Sequence, residues 1–229
     1  MTEKKTQIKH NIPDILDTLG EFTAFDPLKF MGNTYESKAK ISQNLFLTST
    51  DPKTVRIHLK ARKKNSVKQD HLAEMLTTLP QPGTSYHVIS SGNFDFWTYV
   101  PHIVNLAGHI DDFYCSTWTL NRYVAEEMLE LFDQKKILKI NMLTGLYFKR
   151  RESAVYATLL QGLVERGQRY IAFLNHTKIM LLEKDPDYFV IEGSANLTAN
   201  PRVEQFILSN HKGLYNFHKE WMEAMYAGK

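Results

Sequence analysis

From residue 85 onward the apolar positions fall into short dense runs that alternate with longer periodic stretches. "YHVIS" reads as a strand, and "DFWTYVPHIVNLAG" has helical spacing, with Gly108 as its stop and Pro101 as a point that shifts its start or kinks it. "IDDFYCSTWTL" is a strand rich in aromatic and β-branched residues. "NRYVAEEMLELFDQKK" is a helix with Asn121 as its N-cap. The strand "ILKINMLTGLYF", the helix "RRESAVYATLLQGLVERG", closed by Gly167, and the strand "QRYIAFL" continue the alternation. The order then changes to strands in a row, "KIMLLE", "YFVIEG" and "EQFILS", before an amphipathic helix, "LYNFHKEWMEAMY". Alternating strands and helices that give way to consecutive strands predict an α/β fold. It is a mixed sheet flanked by helices and ending in antiparallel strands.

Before this the pattern is irregular. "IPDILDTLGEF" suggests a short helix, "KAKISQNLFLTST" runs into a strand, and "DHLAEMLTTL" carries apolar residues at helical spacing. The breaker cluster "PQPGTS" marks a boundary. The expected organisation is an N-terminal extension over residues 1–84, basic and acting as an accessory subdomain or nucleic-acid contact, followed by a domain over residues 85–229.

Composition narrows the class. Apolar residues make up 43% of the 229, enough for a core, and the net charge of +3 gives no global attraction to polyanions. The single cysteine, Cys115, excludes an intrachain disulfide and a multi-cysteine zinc site. No run approaches the roughly 20 apolar residues that span a bilayer. The polar start "MTEKKTQIKHNIPDILDTLG" has no apolar signal core. A soluble, cytoplasmic protein without membrane association is the expectation.

One stretch breaks the apolar logic. "HTKIMLLEKDPDYFVIEGSAN" places His176 and Lys178 at the head of one apolar strand and Ser194 and Asn196 at the tail of the next. A hairpin centred on Pro186 sets His176 opposite Asn196 and Lys178 opposite Ser194, all on one sheet face. Such a group of actual and potential donors suits an oxyanion, with phosphate foremost. Gly193 permits close backbone approach, and a neutral histidine there can attack phosphorus or carry a proton. H-x-K alone is weak, because His58-Leu59-Lys60 also matches. That copy lacks a G-S-x-N at hairpin distance and has too little chain before it to build a domain.

In order and on opposed strands, these motifs resemble the phospholipase D superfamily signature, H-x-K-x4-D followed by G-S-x-N. Here it reads His176, Lys178, Glu183 in place of the aspartate, then Gly193-Ser194-Ala195-Asn196 after a longer gap. One copy is present, as in the family's single-motif homodimeric nucleases. The resemblance implies a phospholipase D-like fold and a metal-independent phosphodiesterase needing no cofactor. In it His176 forms a phosphohistidine, and the partner subunit's His176 protonates the leaving oxygen. Lys178 and Asn196 hold phosphate oxygens with help from Ser194. It also makes Glu204, in "NLTANPRVEQF", the carboxylate that orients the histidine, and gives Glu183 a supporting role.

Two basic clusters favour nucleic acid as substrate, DNA ahead of RNA. Lys53, Arg56, Lys60, Arg62, Lys63, Lys64 and Lys68 form one, and Lys149, Arg150 and Arg151 the other. A non-catalytic nucleic-acid-binding module of the same fold is the alternative, and lipid phosphodiester hydrolysis comes third. The pairs His102/His109 and His211/His218 read as packing or surface residues rather than metal ligands.

Overall fold

The alternation after residue 84 folds, in a computed structural model that describes residues 66–199 and 201–228, into one seven-stranded mixed sheet. The strands are β1 (Thr84–Ser90), β2 (Asp112–Thr117), β3 (Ile140–Gly145), β4 (Arg169–Phe173), β5 (Ile179–Lys184), β6 (Asp187–Gly193) and β7 (Glu204–Asn210), in the order β1-β7-β6-β5-β2-β3-β4. β2, β3 and β4 are mutually parallel, whereas β5, β6, β7 and β1 pair antiparallel in turn. The carboxyl ends of β2, β3, β4 and β6 and the amino ends of β5 and β7 therefore meet at one edge of the sheet.

The period-two alternation separates two apolar layers. Phe113, Cys115, Met180, Leu182, Phe189 and Ile191 face a large core shared with the helices α1 (Tyr99–Ala107), α2 (Arg122–Asp133) and α4 (Ser153–Glu165). Tyr114, Leu181 and Val190 point the other way, onto α5 (Lys212–Tyr226). Asn121 caps α2 by accepting from Val124 N–H at 2.9 Å, and Gly108 and Gly167 take positive φ where α1 and α4 end. A helical segment over 66–75 packs Leu72 into the same core, beside Leu76.

Three local expectations change. Pro101 does not interrupt its helix, which begins at Tyr99 after a 3-10 turn over Phe96–Thr98. It sits in the first turn of α1, where backbone N–H groups have no intrahelical partner to lose. The helix expected after β3 breaks at Glu152 (φ −127°), leaving the one-turn α3 (Phe148–Arg151) ahead of α4.

The third change is the hairpin register. Lys184 pairs with Asp187 and Ile179 with Glu192, so the turn is the two residues Asp185 and Pro186, not three centred on Pro186. Shifting the centre by half a residue moves every partner by one. Lys178 consequently lies opposite Gly193, whose N–H donates to Lys178 O at 3.2 Å, and His176 and Thr177 precede the strand. Among the described residues, no helix is long and apolar enough to cross a membrane.

Candidate active site

His176 is held by its neighbours. Asn175, buried at the end of the segment that leaves β4, donates from Nδ2 to Ser116 Oγ at 2.9 Å. Its Oδ1 accepts from Thr177 N at 2.9 Å and Thr177 Oγ1 at 2.8 Å, and the Ser116 and Thr177 hydroxyls meet at 2.6 Å. This latch pins both residues flanking His176 to the carboxyl end of β2. The His176 ring itself is left at the surface.

Lys178 Nζ lies 3.1 Å from His176 Nδ1 and donates to the His176 carbonyl oxygen at 2.6 Å. Burial lowers the Lys178 pKa, and the Glu204 carboxylate pulls it partly back. Glu204 accepts from the Ser194 hydroxyl, and Ser194 Oγ accepts from Gln205 N at 3.1 Å. His176, Lys178, Glu204 and Ser194 thus form one connected group. Asn196 Oδ1 lies 3.5 Å from Thr117 Oγ1, at the carboxyl end of β2. The convergence does not come from direct opposition across the hairpin. It comes from the bend after Gly193, which ties Ser194 to the start of β7.

Gly193 has a packing role, because a Cβ there would stand 2.6 Å from Phe206 Cδ1. Glu183 lies at the far end of β5. It accepts from Tyr215 O–H at 2.9 Å and Lys219 Nζ at 3.2 Å, bracing α5 against the sheet. It thus lies at the opposite end of β5 from His176.

The Trp118 indole lies against His176, ring centres 5.8 Å apart, and the Arg151 guanidinium covers the indole at 5.0 Å. Gly145 makes room for this stack, since a Cβ there would come within 2.5 Å of Trp118 Cδ1 and 3.0 Å of the Trp118 and Asn175 carbonyl oxygens. Arg151 is thereby joined to the site, while Lys149 and Arg150 lie exposed on the same short helix, Lys149 at 5.5 Å over the Tyr156 ring.

The first basic cluster divides. Lys53, Arg56, Lys60, Arg62, Lys63 and Lys64, like the second H-x-K at His58, lie outside the described residues. Lys68 is buried and paired with Asp95, which withdraws it from any ligand-facing role. Of the four histidines set aside, His102 bonds the Leu76 carbonyl at 2.7 Å and His109 lies 3.2 Å from Asp111. His211 caps α5 by accepting from Leu214 N, and His218 accepts from Trp221 Nε1 at 3.1 Å. Among the described residues, no group of three His, Cys, Asp or Glu side chains is arranged to hold a metal ion.

Trp118, Asn175, Thr177, Ser116 and Thr117 were not singled out in the sequence. Their common signal is position, because each ends or follows one of the parallel strands, where open α/β sheets place their ligand sites.

No family model matches the chain, and no curated protein matches it in sequence. Among solved structures, the chain is similar to Nuc, a phospholipase D family member from Salmonella typhimurium, at 11% identity and TM-score 0.49, over 63% of this chain and 94% of that one. It is also similar to TrmBL2, an archaeal chromatin protein with a novel mode of DNA binding, at 14% identity and TM-score 0.43, over 77% and 64%. A third similarity is to the polyphosphate kinase of Porphyromonas gingivalis, at 10% identity and TM-score 0.41, over 56% and 23%.

Proposed function

We propose that the chain is a metal-independent nucleic-acid phosphodiesterase working through a phosphohistidine, with DNA ahead of RNA as substrate. The observation that carries this reading is the contact between His176 and Lys178 at the sheet edge, with Ser194 and Glu204 in the same network. A surface imidazole on a rigid backbone supplies a nucleophile, and a half-buried ammonium beside it supplies a partner for a phosphate oxygen.

In this scheme His176 Nε2 attacks phosphorus and forms a P–N bond as the P–O bond to the leaving group breaks. The leaving oxygen takes a proton from a second imidazole. Water then cleaves the P–N bond, and the second imidazole, now basic, accepts the proton of that water. Lys178 and Asn196 hold non-bridging oxygens, Ser194 helps, and Glu204 keeps Ser194 and Lys178 in place.

Two imidazoles are required at once, and one chain supplies a single histidine in this setting. A two-fold homodimer brings the same residue from both chains to one phosphate. The test is cleavage of labelled DNA in EDTA, combined with sedimentation and subunit mixing. A dimer is expected, His176→Ala should lose at least about 10³-fold in rate, about 4 kcal/mol of barrier, and mixed dimers should be nearly inactive. A fully active monomer, or mixed dimers with half the activity, overturns the composite site.

Binding without turnover is the second reading. Lys178 spends hydrogen bonds on both His176 Nδ1 and the His176 carbonyl, so the site is closed on itself. DNA bound by a chain that cleaves no diester at any pH selects this reading.

A further inference from the structure

Beside His176 the molecule exposes an apolar rim. Leu174 is 81% exposed, Tyr147 58% and Leu146 48%. Leu146 and Tyr147 follow β3, and Leu174 follows β4. Gly145 pairs with Phe173 in the parallel register, and Leu146 N donates to Phe173 O at 2.9 Å. The rim is therefore continuous across neighbouring strands, which lie about 4.8 Å apart. It ends two residues before His176. The chain runs from Tyr147 directly into α3, with Lys149, Arg150 and Arg151 exposed.

We infer that this rim is a platform for unpaired nucleotides, so that the substrate is single-stranded nucleic acid. The inference rests on the phosphodiesterase reading and adds the strand form to it. A tyrosine ring and two leucines offer apolar contact to base faces, and three adjacent cations follow the phosphates. That combination marks sequence-tolerant single-strand sites. A duplex keeps its bases stacked inside and presents phosphates and groove edges, which have no use for an exposed leucine at the mouth of the site. A second copy of the chain fits this face less well. Two-fold contact would set the face against its own image and bring Lys149, Arg150 and Arg151 of both chains together. The strands on the other side of His176, β6 and β7, carry no such run of cations in the sequence, and a dimer axis on that side leaves the rim open.

The experiment uses the full chain with three probes: a fluorescent 20-nucleotide single strand, the same sequence as a duplex, and bis(p-nitrophenyl) phosphate. The single strand should bind at least about tenfold more tightly than the duplex. Tyr147→Ala should weaken single-strand binding by about 5- to 150-fold, the range for one stacked base, and Leu174→Ser should weaken it by a smaller factor, because an aliphatic side chain offers contact without stacking. Hydrolysis of the small diester should be unchanged in both variants, as should the melting temperature, because both side chains are exposed. Equal binding of single strand and duplex, unaffected by the substitutions, overturns the inference while small-diester hydrolysis keeps the phosphodiesterase reading standing. Absence of hydrolysis of any probe, with the single-strand preference intact, removes turnover and keeps the platform. A variant that turns a dimer into a monomer assigns the rim to a second copy and overturns the inference.

Discussion

Lys178 donates to His176 Nδ1 across 3.1 Å, which decides where the imidazole proton resides. An ammonium offers only hydrogens, so Nδ1 must accept and the neutral ring carries its proton on Nε2. That nitrogen cannot attack while protonated. A bound phosphate that draws Lys178 onto its own oxygens frees Nδ1 to take the proton and leaves Nε2 as the nucleophile. Nitrogen-15 spectra of the free protein should therefore show the Nε2–H form. Adding vanadate or inorganic phosphate should raise the Nδ1–H population, and Lys178→Met should abolish that response. An Nδ1–H ring in the free protein removes this gating step.

The same lysine has a stability consequence. Burial holds its folded pKa below the ordinary value of 10.5, with Glu204 offsetting part of the effect. The charged form therefore opposes folding at neutral pH. That penalty disappears as pH rises through the folded pKa towards the unfolded one. Lys178→Met should raise the melting temperature at pH 7 while removing diester cleavage. A lower melting temperature would mean that the bonds to His176 outweigh desolvation.

The latch around His176 should be as necessary as the histidine itself. Truncating Asn175 leaves the Ser116 and Thr177 hydroxyls and the Thr177 N–H short of a buried partner, costing about 1–3 kcal/mol. Asn175→Ala should lower kcat more than it raises KM, because it loosens the nucleophile and leaves the strand contacts alone. Gly145→Ala should act from the other side. Its methyl group displaces Trp118 and meets the Asn175 carbonyl at 3.0 Å. The expected destabilisation is about 1–3 kcal/mol, and Trp118 fluorescence should report the displaced ring.

The elements were legible because apolar residues recur at two- and 3.6-residue periods, as in "KIMLLE" and "LYNFHKEWMEAMY". Register was less so. The hairpin register differs by one residue from that of a turn centred on Pro186, because turn length is a backbone property and the two residues Asp185 and Pro186 suffice. Lys178 still feels the Glu204 carboxylate, which holds the Ser194 hydroxyl, because the chain bends after Gly193 and ties Ser194 to the start of β7, a bend that no periodicity records. Trp118 was invisible for a different reason. Its contact with His176 exists only once the strand order places the ends of β2 and β3 beside the segment leaving β4. The break at Glu152 likewise separates Arg151 from α4 and lets it lie over the indole.

Glu183 occupies the motif's acidic position and yet braces α5. Glu183→Gln should keep diester cleavage within about threefold of wild type, since Glu183 accepts from Tyr215 and Lys219 and not from His176. Its melting temperature should fall, because Lys219 loses one of two carboxylate partners and keeps only Asp112 at 3.3 Å. A variant that melts normally and loses cleavage would place Glu183 in the reaction.

Acid should loosen this same face of the sheet first. Glu223 accepts from Arg169 at 2.7 and 2.9 Å and also from the Tyr114 hydroxyl. The Arg169 bonds foremost pull its pKa from 4.5 to about 2. A carboxylate with a depressed folded pKa contributes stability that is complete above the unfolded value and is lost as pH falls through the folded one. Stability should therefore decline between about pH 5 and pH 2, with the loss centred under α5, where Tyr226 O–H also holds the Met142 carbonyl at 3.0 Å. Glu223→Gln should be less stable than wild type at pH 7 and show a flatter decline over that window. Amide exchange should locate the difference in α5 and β4, while the latch at Asn175, on the opposite edge of the sheet, keeps its protection. Parallel acid profiles for the two proteins would mean that the Arg169 pair does not govern this transition.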